Sequence, residues 1–414
     1  MKRTILVTLT GLFLVLGFGS CSLGQGNLFS PTTTAVTIQF PKIDRHPIAS
    51  DYNREELYTM GSYDPIKDDP FQVDLRSYDL TKLDLSNAAD RLRFASFDDQ
   101  TRWPAGEQIP AGFDWKQVME IGKNPGLGVR TLHEQGITGS GVGIAILDQP
   151  IQVDHPEYRD RLRLYEEINL DSSWSAQMHG PAVASLAVGK TVGVAPGADL
   201  YFIADWFVEP DRTVNFAYLA QGIRRILEVN RSLPEGRKIR VISISRGYSP
   251  TDKGYSELMA AIRDAEQLDV LVISVGMYGS REVGILGLGR DPMANPENVD
   301  SFQVAVSLEP NLENIIGWPD QLWIPTDART TASPTGTDDY VFYGVGGISW
   351  AEPYLAGMYA LACQVNPKIT PDQFWKLAID TGSFIKVLHN GTQVKIGPVI
   401  NPHGLIKALQ ANSG

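Results

Sequence analysis

The stretch 347–357, GISWAEPYLAG, followed by MYALACQVNP, sets a serine where small residues give way to a helical pattern. Ala351, Leu355, Met358, Tyr359 and Ala362 recur at helical spacing, which puts Ser349 at or near the first turn of a buried helix. A helix start carries unpaired backbone N–H groups and the positive end of the helix dipole. Both stabilise an anion forming beside the hydroxyl, as acyl transfer requires. A serine hydroxyl is a weak nucleophile at neutral pH and needs a base; an imidazole oriented by a buried carboxylate is one solution. The chain offers one candidate for each role: Asp148, directly after the apolar run 142–147, and His179, the first residue of HGPAVASLAVG. Taken singly, the three also look like a strand-end cap and two helix caps. Taken together they form a constellation for nucleophilic catalysis.

The elements that must position them are readable from about residue 125 onward. GSGVGIAILD is a Gly-rich turn running into a buried strand that ends at Asp148, and His179 opens a helix with Val183, Leu186 and Ala187 on one face. GVAPGADLYFIA supplies a turn and a strand, followed by a helix from about 215 to 230, a strand over 239–245, a helix through Leu258, Ile262 and Ala265, and a strand over 270–275. A further apolar run at 302–306 precedes a segment, 309–340, that reads as irregular, and Thr370 with Pro371 starts a helix after that of Ser349. Strands alternating with helices imply an α/β fold of three layers, α/β/α, on a mostly parallel central sheet, with the site at the strands' C-terminal ends.

With these residues in place, 125–414 resembles the subtilisin-like serine proteases. Gly347, Ser349, Ala351, Pro353 and Gly357 fall on the family's serine motif; GVGIAILDQPI with HPEY is similar to its Asp motif, HGPAVASLAVG to its His motif, and the order Asp, His, Ser is the subtilisin order. The resemblance implies a serine endopeptidase with Asp148 as orienting carboxylate, His179 as general acid/base and Ser349 as nucleophile, acting on peptide or protein substrates. VISISRG looks like the family's substrate-binding strand, so Ser245, Arg246 and Gly247 stand where an extended peptide would pair. If Arg246 lines a pocket there, acidic or polar substrate side chains are favoured. Departures accompany the matches: Gln149, Pro181 and Ile348 replace the usual neighbours of the three residues. In ISVGMYG, Met277 replaces the Asn whose side chain donates to the oxyanion, and a thioether cannot donate. The oxyanion region is then left with the Ser349 backbone N–H, and Tyr278 is the nearest substitute donor in sequence. The alternative is a catalytically impaired scaffold of the same fold that binds peptides or an envelope partner. Glu352, three residues after Ser349, has the spacing of a capping box. An esterase elbow is absent, since the residue two after Ser349 is Ala351.

The N-terminus divides into a signal peptide, 1–20, a tether, 21–37, and a polar, Asp-rich, irregular extension, 38–124, with short apolar runs such as Leu80, Leu83 and Leu85. Lys2 and Arg3, an apolar run to Phe18 and small residues before Cys21 resemble a bacterial lipoprotein signal, which implies lipidation at Cys21 and membrane attachment at the cell envelope. The extension has the size of the propeptides that precede many catalytic domains of the family, and an arm retained on the main domain reads equally well. Cys363 inside an apolar helix reads as a small core residue. Two Cys and six His with no ligand spacing identify no metal or other cofactor; structural calcium, implied by the resemblance alone, leaves no readable pattern. A net charge of −12 without a basic patch argues against nucleic acid as a partner.

Overall fold

Every residue of the run 142–147 is buried, and alternation along the strand decides which face each side chain covers. In the computed structural model, which describes residues 39–411 apart from 53, 66 and 68–70, Ile144 and Ile146 enter a core shared with the helices His179–Val188 and Ala351–Val365. Ala145 and Leu147 enter a second core beneath the helices Ala217–Ser232 and Tyr255–Glu266. The chain is thus a three-layer α/β/α structure. The signal peptide, tether and Cys21 lie outside the described residues.

The central sheet has eight strands. From one edge they are Lys42–Ile43, Leu162–Ile168, Asp199–Asp205, Gly143–Asp148, Ile239–Ile244, Leu271–Ser274, Met277–Tyr278 and Arg281–Glu282. The first six run parallel and the last two are antiparallel additions. From Gly143–Asp148 the chain goes out to Leu162–Ile168, returns beside its starting strand with Asp199–Asp205, and crosses to the other side with Ile239–Ile244. The order therefore reverses about the Asp148 strand. Open α/β sheets have their crevice beyond the C-terminal ends of the strands at such a reversal.

Two smaller sheets complete the domain. One orders Phe302–Val304, Gly284–Arg290, Gln321–Pro325, Thr392–Val399 and Ser383–His389; the other orders Arg329–Ala332, Tyr340–Tyr343 and Ser96–Asp98. The segment 309–340, expected to be irregular, thus contributes two strands. They are short, the first ending at Pro325 and the second starting at Arg329, and Gln321–Pro325 pairs with distant strands while Arg329–Ala332 pairs with Tyr340–Tyr343, so no extended local alternation announces them. The helix Pro371–Asp380 begins as its sequence requires: Thr370 and Gln373 form a reciprocal capping box and Pro371 occupies the first turn.

The segment before residue 125 is built into this framework. Lys42–Ile43 adds a parallel strand to the central sheet beside Leu162–Ile168, and Ser96–Asp98 pairs with Val341–Tyr343. Leu80, Leu85, Leu92, Phe97 and Val118 form one apolar cluster with Ala328 and Phe342. Thr330 donates its hydroxyl to the carbonyl of Met119 at 2.8 Å. Among the described residues no helix is long and apolar enough to cross a membrane.

Candidate active site

Asp148, His179 and Ser349 line a single cavity of about 180 Å³ at the reversal point of the sheet. Asp148 is the last residue of its strand, where the chain leaves the sheet and its side chain is released from the in-out alternation. One carboxylate oxygen accepts the Gln149 N–H at 2.8 Å, and both face His179 Nδ1, at 2.7 and 2.9 Å. His179 is the first residue of its helix. Gly180 explains how the helix comes so close: a Cβ there would run into the Gln149 carbonyl oxygen. The Asp148 side chain is 6% exposed and that of His179 22%, so water screens the pair only partly. Burial pulls the His179 pKa down and is the largest single influence; the charge of Asp148 and its hydrogen bond outweigh it, so the pKa is raised, with Arg246 opposing weakly. With Nδ1 engaged by the carboxylate, Nε2 is the nitrogen left for a proton from the serine side.

Ser349 sits in the tight turn Ile348–Trp350 that leads into Ala351–Val365. Neither helix start uses a side chain as a cap, so the Ser349 hydroxyl is not spent on the backbone of its own helix. It donates to the Ser245 carbonyl at 3.4 Å, while the Ser245 hydroxyl donates back to the Ser349 carbonyl at 2.9 Å. This reciprocal pair ties the serine turn to the end of the strand Ile239–Ile244. Gly357, about two turns further on, lets the helix approach Val194, whose Cβ would stand 2.6 Å from an added methyl. The Trp350 ring lies 5.3 Å from the His179 imidazole and closes one side of the site.

The expected capping box does not form. Glu352 is fully buried, its carboxyl makes no hydrogen bond to another residue, and burial pushes its pKa up to about 8. The helix begins through the tight turn rather than an extended cap residue, and that leaves no position from which Glu352 could reach back.

Met277 is in the short hairpin after Leu271–Ser274, reached through Gly276 at φ +73°, and packs into the apolar layer beneath Ala217–Ser232 and Tyr255–Glu266. It is not among the residues that line the cavity. Tyr278 offers no replacement donor, because its hydroxyl donates to the Pro371 carbonyl at 2.7 Å and its ring packs on Trp375. The first-turn N–H groups at Ser349 remain.

Ser245, Arg246 and Gly247 follow the last paired residue of their strand and leave the sheet unpaired, Arg246 and Gly247 being exposed. The Arg246 guanidinium lies over the Phe207 ring, 4.9 Å from its centroid, at the edge of the same cavity. Asp205, Trp206 and Phe207, which the sequence reading did not single out, form the opposite side. A signal was present: DLYFIAD ends on an acid as GIAILD does, one strand away in the sheet. Among the described residues no group of three or more His, Cys, Asp or Glu converges to hold a metal ion, so no calcium site is assigned. Cys363 is buried in its helix, and burial raises its thiol to about 11, as befits an inert core residue.

Residues 139–286 match the subtilase family of peptidases. That stretch is a subtilase-family segment. The subtilisin-like protease PopC of Myxococcus xanthus is 27% identical over 323 residues, 70% of this chain and 65% of that protein. A thermostable alkaline protease of Halalkalibacterium halodurans is 25% identical over 61% of this chain and 65% of its own length. Subtilisin NAT of Bacillus subtilis subsp. natto is 27% identical over 58% of this chain and 60% of its own length. The match to this chain thus spans 60 to 65% of the length of these relatives. The family match covers Asp148, His179, Ser245 and Met277; Ser349 lies beyond it.

Proposed function

We propose that this chain is a serine endopeptidase that works through an acyl-enzyme, with Ser349 as nucleophile, His179 as general acid/base and Asp148 as its orienting partner. The observation that carries the proposal is the buried contact of 2.7 Å between Asp148 and His179 Nδ1, in a cavity that also holds the Ser349 hydroxyl. In the first step Ser349 Oγ turns from the Ser245 carbonyl, gives its proton to His179 Nε2 and bonds to the scissile carbonyl carbon. The carbonyl π electrons move to oxygen, and the first-turn N–H groups at Ser349 stabilise that oxyanion. Collapse breaks the C–N bond as His179 returns the proton to the leaving amine. Water, deprotonated by the same imidazole, then releases the acyl group.

With Met277 in the apolar layer, the oxyanion region lacks one side-chain donor. Loss of such a donor costs about 10²- to 10³-fold in kcat, a magnitude taken from a member of this same family. A slow enzyme is therefore expected. The same feature, with the resting Ser349 hydroxyl on Ser245 rather than on the imidazole, supports a second reading: a peptide-binding scaffold without turnover. Labelling of Ser349 by an activity-based fluorophosphonate separates the two.

The extension 38–124 is retained in the mature protein under this proposal, because it supplies a strand to the central sheet and shares a core with Ala328 and Phe342. Export and lipid attachment at Cys21, at the cell envelope, rest on the N-terminal sequence. Cys21→Ser is expected to move the protein from the membrane fraction to the soluble one.

A further inference from the structure

We propose that the cavity beside Ser349 is a subsite for a substrate lysine or arginine side chain, with Asp205 as the group that binds its charge. This inference rests on the reading of the cleft as a peptide-binding site and adds a side-chain preference to it.

Asp205 is the last residue of the strand Asp199–Asp205, next to the Asp148 strand, and is 2% exposed. Neither carboxyl oxygen has a hydrogen-bond partner. A buried polar group left unpaired costs free energy, and such groups are normally satisfied. Here the surroundings withhold a partner and leave space for one. The walls are apolar, from Leu147, Leu219 and Ile244, and on the facing helix Gly222 permits close packing on Leu147, whose Cδ2 would stand 2.5 Å from an added Cβ. No neighbouring charge acts on the carboxyl; burial alone raises its pKa to about 7.

A cavity of 180 Å³ is below the roughly 300–1,000 Å³ of pockets that enclose whole ligands, and suits one side chain. An apolar shaft ending in an unpartnered carboxyl matches a side chain that is apolar along its length and cationic at its tip. Arg246, which the sequence assigned to acidic or polar side chains, stands at the rim with its guanidinium on the Phe207 ring. It leaves Asp205 unpaired at the cavity wall.

The test uses the intact chain carrying Ser349→Ala, so that binding is read without chemistry. Fluorescent hexapeptides carrying a single lysine at each position in turn are compared by anisotropy with peptides carrying norleucine, the uncharged counterpart, or glutamate. At least tenfold tighter binding of one lysine series over norleucine is expected. It should survive about 0.5 M salt, where attraction to the net charge of −12 is screened. Adding Asp205→Asn should remove the preference, with folding verified by an unchanged thermal transition. Asp205→Leu provides a second variant should the first lose its transition. Equal binding of lysine and norleucine peptides, tighter binding of glutamate peptides, or a lysine preference that persists without Asp205 would overturn the proposal. Failure of the wild-type chain to react with a fluorophosphonate would instead strike the endopeptidase reading and leave this binding result to stand by itself.

Discussion

Replacing Asp148 by Asn keeps the size of the side chain that faces His179 but removes its charge. The carboxylate oxygens lie 2.7 and 2.9 Å from Nδ1, with charge centres about 4 Å apart. At an effective dielectric constant of about 20, such a pair is worth about 4 kcal/mol, roughly three powers of ten in rate if the imidazolium forms in the transition state. An amide also permits the wrong tautomer, a loss of about 10⁴ in the Ser-His-Asp template. Asp148→Asn is therefore expected to lower the rate of reaction with a fluorophosphonate by about 10³- to 10⁴-fold. The pH dependence carries the sharper test. In the wild type the raised His179 pKa places the acid limb above 6.5, and the rate rises as His179 loses its proton. In the variant, burial and Arg246 remain and both disfavour the cation, so the acid limb moves below 6.5. Stability follows with the opposite sense. A histidine pKa raised on folding contributes stability that is complete below 6.5 and is lost as pH rises through the folded value, so the variant loses more stability at pH 6 than at pH 9. A variant within tenfold of wild type, with its acid limb unmoved, would refute this account of the pair.

Met277→Asn is expected not to rescue the rate, because the side chain enters an apolar layer; it should cost about 1–3 kcal/mol in denaturant unfolding, and a labelling rate raised tenfold or more would contradict this. Glu352 binds a proton in the folded state up to about pH 8, whereas the unfolded chain releases it near 4.5, so wild-type stability falls as pH rises between these values. Glu352→Gln should flatten that fall in thermal melts from pH 5 to 8, and an unchanged slope would show the carboxyl to be already ionised. Removal of residues 39–124 strips a strand from the central sheet and uncovers Ala328 and Phe342, so the remaining chain is expected to lack a cooperative transition by circular dichroism. A cooperatively folded 125–414 would instead support a removable propeptide.

The parts of the site that were legible in the sequence depend on local pattern. Asp148 follows an unbroken apolar run, and His179 and Ser349 precede helical spacing, so strand end and helix starts are visible within a dozen residues. What was hidden depends on pairing across long separations. Lys42–Ile43 finds its partner at Leu164 and Tyr165, and Ser96–Asp98 finds its own at Val341–Tyr343; neither short, polar-flanked segment shows a strand period of its own. Asp205 was hidden differently. An acid ending an apolar strand reads as a cap facing water, and only the helix Ala217–Ser232 passing over it makes it a buried group in a cavity. The Met277 substitution was visible, but the direction of its side chain was not, because that is set by the hairpin at Gly276.

The central claim is a working nucleophile and base at Ser349 and His179, and labelling the intact chain with a fluorophosphonate beside Ser349→Ala and His179→Ala addresses it most directly. The account predicts slow but saturable labelling of the wild type, lost in Ser349→Ala and reduced to background in His179→Ala. No labelling of a folded wild-type sample, or labelling that persists in Ser349→Ala, would contradict it.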